Sequence, residues 1–138
     1  MKFTDANGGS VAFPATMYML CINRNYMLGG NPCWVPIAAF TLQSDAQLYL
    51  NNCGTNPASL MVLPGSIGWD PLNLVPCFVL NGVSYPMTAP TPPEYAFIRT
   101  THGDIYGVTP DLATGQCYVK IPNPRDFPLA LVTGHVTL

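Results

Sequence analysis

Charge is the scarcest thing in this sequence. Of its 138 residues only 9% are Asp, Glu, Lys or Arg, against about 25% in a typical soluble domain. Lysine occurs only as Lys2 and Lys120, and glutamate only as Glu94. The five basic residues are scattered between Lys2 and Arg125, so they cannot form the clustered positive footprint that neutralises phosphates, and nucleic acid is not an expected partner. Long uninterrupted apolar runs are missing too. The charge-free stretch from Pro71 to Pro93 contains Pro71, Pro76, Pro86, Pro90, Pro92 and Pro93, which no membrane-spanning helix tolerates, so no transmembrane segment and no membrane partner are expected.

Histidine is limited to His102 and His135, neither with a second ligand at a recognised spacing, so no metal site is expected. The five cysteines, Cys21, Cys33, Cys53, Cys77 and Cys117, contain no Cys-x-x-Cys pair, which removes zinc-ribbon and thioredoxin-like readings. Cys21 and Cys77 sit inside apolar strings and read as buried free thiols. The glycines precede no phosphate-loop Lys-Ser/Thr and form no dinucleotide fingerprint, so no cofactor is implied. His102-Gly103-Asp104 places an imidazole and a carboxylate near one another, and Cys117 could be sketched beside them. The chemistry of a turn accounts for the same residues, and no catalytic residue is assigned. Residues Met1 to Ser10 show neither a basic segment nor a small-residue cleavage site, so no signal peptide is expected and synthesis is expected in a cytosol.

What the sequence has is apolar bulk and punctuation. Apolar residues are 49% of the chain, enough for a core. At this length folding buries roughly 70% of the surface the unfolded chain exposes, and one domain over 1–138 suffices. Prolines number 15, about twice the usual share of ~5%. Short apolar or alternating runs closed by Gly, Asn or Pro recur along the chain, the pattern of an all-β sandwich or barrel with Pro/Gly-rich loops. Val11 to Ile22 is the first run, stopped by Asn23 and Asn25. Cys33 to Leu42 is the second, with Pro36 marking an edge or a bulge.

Three hairpins are expected. Asn81-Gly82 between Cys77–Leu80 and Val83–Tyr85 is the strongest, since both residues tolerate the positive φ of a type I′ turn. His102-Gly103-Asp104 joins Tyr95–Thr101 to Ile105–Val108, and Thr133-Gly134 joins Leu129–Val132 to His135–Leu138. Leu42 to Leu50 is the one candidate helix, of one or two short turns, capped by Ser44 or Asp45. Residues 1–10 read as an N-terminal arm, and 86–93 as a Pro-rich extended arm or link.

A solitary soluble domain keeps its surface charged and its net charge clear of zero. At a formal −2, with so few charges, this chain reads instead as one whose surface is covered by neighbours. The aromatic and Met side chains Phe3, Phe13, Trp69, Tyr85, Met87, Tyr95 and Phe127 are the candidate interface. In general character, a small charge-poor β-domain rich in Pro and Gly, the chain resembles accessory virion proteins such as the cement or decoration proteins of tailed-phage capsids. This likeness is one of composition over the whole chain. It implies a non-enzymatic structural protein of a symmetric assembly, a homo-oligomer or a partner of other capsid proteins, assembled in the host cytoplasm and located in the virion. Two other readings stand beside it: a carbohydrate- or ligand-binding β-sandwich that stacks on Tyr49, Trp69, Tyr85 and Tyr95, and a small hydrolase.

Overall fold

Among the described residues every strand pairing is antiparallel, and the strands fall into two sheets. The structure, a computed structural model, describes residues 1–5, 7–25, 27, 29–52, 59–86, 97–99, 105–108, 130–132 and 134–137. Its elements are β1 (Lys2–Asp5), β2 (Ser10–Ala12), β3 (Met17–Asn23), β4 (Trp34–Phe40), α1 (Gln43–Asn52), β5 (Leu60–Asp70), β6 (Val75–Leu80), β7 (Val83–Pro86), β8 (Phe97–Arg99), β9 (Ile105–Val108), β10 (Ala130–Val132) and β11 (Gly134–Thr137). Three strands form a sheet of order β11-β1-β2, and eight form a sheet of order β10-β8-β9-β4-β3-β5-β6-β7. The all-β reading holds: among the described residues the strands form two antiparallel sheets and no closed barrel.

β3 is the centre, and its sequence explains why. A strand presents alternate residues to opposite faces, and here both sets are apolar. Met17, Met19 and Cys21 enter one core cluster with Phe3, Ala39, Ile67, Phe78, Leu80 and Val136. Leu20 enters the other with Ala38, Phe40, Ala46, Tyr49 and Leu60. Each large side chain so buried contributes about 1.5–3 kcal/mol relative to exposure. The second cluster is roofed by α1, which lays Ala46 and Tyr49 on the sheet, with the Tyr49 ring 5.9 Å from that of Phe40. This packing carries the helix through 10 residues, beyond the expected one or two turns. Its first bond runs from the Ala46 N–H to the Leu42 carbonyl, which places Ser44 and Asp45 inside the first turn and not at the cap.

The first cluster is closed by β5 changing partners. Leu60 to Gly65 pairs with β3, whereas Ser66 to Asp70 pairs with β6. At the changeover a Cβ on Gly65 would stand 2.6 Å from the Val79 carbonyl oxygen and 2.9 Å from the Met19 side chain. Only glycine allows β6 this close, the usual meaning of glycine within a strand. Beyond the corner the β5–β6–β7 ribbon lies back over the sheet, so that β6 touches β4, from which two strands separate it in the ladder.

Three further expectations need correction or refinement. The proposed arm over residues 1–10 holds β1 and the start of β2, and Phe3 has no exposure because it pairs with Val136 inside the core. Thr133 lies outside the described residues, and the strands expected to pair across Thr133-Gly134 do not pair with each other among the described ones. β10 pairs with β8 and β11 with β1, so the chain passes from one sheet to the other where a turn was expected. Pro36 lies on an interior strand, not an edge, beside the expected bulge: Leu20 pairs with Ala38 and Cys21 with Pro36, leaving Ile37 as the extra residue. The Asn81-Gly82 turn forms as expected, with φ of 51° and 78°, and β8 pairs with β9. Residues 87–96, with the rest of the Pro-rich arm, and 100–104 lie outside the described residues.

Replacing Gly65 by Ala forces either the Val79 backbone or Met19 to move, and is expected to lower stability by about 1–3 kcal/mol. At Gly82, where nothing lies within 4 Å of the missing Cβ, Ala meets only the positive-φ penalty of about 1–2 kcal/mol. Urea unfolding of Gly65→Ala and Gly82→Ala checks this, and a Gly65 variant as stable as the parent contradicts the close approach.

Candidate functional site

Of the seven residues expected at an interface, the structure describes four. Phe3 belongs wholly to the core. Phe13, Trp69 and Tyr85 are half-buried, packed against the first core cluster. Met87, Tyr95 and Phe127 lie outside the described residues. Tyr49, one of the aromatics considered for stacking on a ligand, is buried beneath α1, and Trp69 and Tyr85 are partly used by the core.

The exposed large apolar side chains are others. Leu72 is 87% exposed and Leu74 66%, both in the four-residue turn Pro71–Leu74 between β5 and β6; Met27 is 88% exposed in the β3–β4 loop. Val83 stands exposed where β7 begins. Sequence reasoning passed over the two leucines because apolar residues beside Trp69 and Val75 look like more core. The flanking Asp70-Pro71 and Asn73 held the signal, since they are turn formers and place whatever lies between them at a tip.

That tip is held from beneath. Asp70 Oδ1 accepts hydrogen bonds from the main-chain N–H of Leu72 at 3.0 Å and of Asn73 at 3.4 Å, and Oδ2 accepts from Asn73 Nδ2 at 2.7 Å. The Asn73 side-chain bond foremost, with help from the two main-chain N–H groups, holds the Asp70 carboxyl below its ordinary range. Leu74 takes a φ of 55°, a left-handed conformation that costs a branched side chain about 1–2 kcal/mol. Strain of this kind persists where the surroundings over-determine it.

A comparable lacing supports the β3–β4 loop. Asn23 Oδ1 accepts from the N–H of Asn25 and of Cys33, each at 3.0 Å, and Asn25 Nδ2 donates to the Asn31 carbonyl at 3.0 Å. The asparagines that stop β3 thus also shape the loop bearing Met27 and the exposed thiol of Cys33.

β7 has a described neighbour on one side only, yet it makes a poor template for another strand. A two-residue loop closes on a hydrogen-bonded pair, here Leu80 and Val83. Pairs alternate from there, so Tyr85 bonds to β6 while Ser84 and Pro86 turn their main-chain groups outward. Proline has no N–H, and the outward donor that remains is that of Ser84. An edge blunted by proline resists strand addition.

The described thiols are free: Cys21 and Cys77 are buried and Cys33 is exposed. Burial pushes the Cys21 thiol up to about 12, and its Sγ donates to the Met19 carbonyl at 3.7 Å. Cys77 is raised as well, again foremost by burial. Neither is the low-pKa thiolate that nucleophilic chemistry uses. Among the described residues no group of three His, Cys, Asp or Glu side chains could hold a metal ion, and no helix is long and apolar enough to cross a membrane.

Against known proteins, no family model matches the chain, and neither a curated protein nor a solved structure does so.

Three outcomes follow from this geometry. In the folded protein a thiol reagent should label Cys33 promptly and leave Cys21 and Cys77 unlabelled until unfolding, as read by peptide mass mapping. Because the Cys21 pKa is higher folded than unfolded, its contribution to stability is intact below the ordinary thiol pKa of 9.0 and is lost as pH rises from there towards about 12. A Cys21→Ala variant should lose that part of the alkaline decline. Separately, Leu74→Asn should raise stability by roughly 0.5–1 kcal/mol, since Asn accepts the left-handed region at less cost; a loss of stability by thermal or urea melting contradicts the strain.

Proposed function

We propose that this chain is a structural protein of a symmetric assembly, of the kind of a capsid decoration or cement protein, and that it makes its contacts through the β5–β6 tip. The observation that carries the reading is the pair Leu72 and Leu74, 87% and 66% exposed on a turn whose backbone Asp70 holds in place. A preorganised apolar knob loses little conformational entropy when it docks. The scarcity of charge supports the same reading, because contacts repeated by symmetry then bring few like charges together.

Magnitudes favour a multivalent setting over a lone pair of molecules. Burying two leucines completely yields roughly 3–6 kcal/mol at 1.5–3 each, while association of two free proteins costs about 4–15 kcal/mol in lost freedom. One tip therefore holds a partner weakly. Repeated in a closed shell or ring, where each further contact is made at high effective concentration, the same tip suffices. Side-chain docking, and not exchange of strands along β7, is the mode that the proline-blunted edge favours. The partners in this reading are further copies of the chain or neighbouring shell proteins, and its place is the virion.

The test compares the parent chain with a Leu72→Asp/Leu74→Asp variant by light scattering over a concentration series, with circular dichroism to verify folding. Association that grows with concentration in the parent and is lost in the folded variant is the expected result. A variant that associates as well as the parent overturns the tip as the contact, and a parent that stays monomeric at the highest concentration overturns contact between copies of the chain.

A further inference from the structure

We infer that the Asn81-Gly82 turn is a site of spontaneous covalent modification, at which Asn81 passes through a cyclic imide to aspartate and isoaspartate. The chemistry needs an asparagine side-chain amide, a following main-chain N–H and room for the two to meet. In the first step the Gly82 nitrogen attacks Asn81 Cγ and gives up its proton. The Cγ–Nδ2 bond breaks and ammonia leaves, closing a five-membered succinimide. Water then opens the ring. Cleavage of the new Cγ–N bond gives aspartate with the original main chain. Cleavage of the bond from the main-chain carbonyl carbon leaves Gly82 attached through Cγ, an isoaspartate with one more carbon in the backbone. The balance is one water consumed and one ammonia released.

Asn81 stands apart from the other asparagines whose side chains the structure describes. Asn81 and Gly82 are both exposed, the Asn81 side chain has no hydrogen bond to a described residue, and nothing lies within 4 Å of the position a Gly82 Cβ would take. Asn23, Asn25, Asn51 and Asn73 have their side chains engaged by neighbours. Asn31, Asn56 and Asn123 precede proline, which has no N–H to supply the nucleophile. Asn7-Gly8 is the other Asn-Gly step, and Asn7 already takes part in an interaction.

The two products differ in consequence. Asp-Gly suits a type I′ turn as Asn-Gly does, so aspartate leaves the hairpin in place and adds one negative charge. Isoaspartate lengthens a loop that has only two residues to close the Leu80–Val83 pair, and Leu80 and Phe78 are core residues. The modification therefore divides the molecules into a turn-preserving and a turn-loosening form.

The experiment holds the folded parent chain in mildly alkaline buffer and maps peptides by mass, with enzymatic methylation of isoaspartate as a second readout. The mass increment of amide-to-acid conversion should accumulate at Asn81 first, roughly tenfold faster than at Asn73 or Asn23, a rate ratio equal to about 1.4 kcal/mol in barrier. The Asn81→Gly variant keeps a turn-compatible Gly-Gly pair and should lose both the increment and the isoaspartate signal at this position. Accumulation at Asn7 before Asn81, equal rates at Asn81 and Asn73, or an isoaspartate signal undiminished in Asn81→Gly each overturns the inference.

Discussion

The absence of one side-chain carbon at Gly65 is the constraint on which the rest of the structure depends. Because Gly65 lacks that carbon, which would stand 2.6 Å from the Val79 carbonyl oxygen, β5 can leave β3 and take up β6 without a break in the strand. Ile67, Phe78 and Leu80 are thereby laid against Met17, Met19 and Cys21, and the face of β3 turned away from the helix becomes interior. The same fold-back sets the outward features in place: the Pro71–Leu74 tip ends one arm of the ribbon, and Asn81-Gly82 ends the other. Core and candidate surface follow from a single close approach.

How much of this was legible in the sequence depended on how local the deciding physics is. Asn81-Gly82 declares its turn because positive φ at two successive positions is a property of those two residues. Pro36 announced a bulge for an equally local reason, the missing donor, although its interior place on β4 depended on β9, far along the chain. Thr133-Gly134 misled for the converse reason. Two short runs beside a Thr-Gly step satisfy the hairpin pattern, yet β10 and β11 find better partners in β8 and β1, and no local rule weighs that competition. The helix outran its expected length because Tyr49 and Ala46 gain their stabilisation from the sheet beneath them and not from capping.

The site was less legible than the fold. Aromatic and Met side chains are the ones expected outside, whereas Phe3 is interior and the leucines Leu72 and Leu74, which no expectation named, are exposed. Hydrophobicity alone cannot separate an exposed leucine from a core one, since both are large and apolar. The distinction lies in the polar residues around them: Asp70 and Asn73 spend their hydrogen bonds on shaping a tip, which a buried turn would have no room to present.

The pairing of Phe3 with Val136 bears on how the molecule comes to be folded. Nearly the whole sequence separates these partners, so the contact has one of the longest sequence separations the fold contains, and closing such a loop is entropically slow. During synthesis from the first residue onward, β1 emerges long before β11 exists to flank it. The β4–β3–β5 group, built from near neighbours, can order early, while the small sheet waits for β11. Until then Phe3 and its cluster lack their cover, and a nascent chain in that interval exposes the apolar surface that chaperones and aggregation compete for.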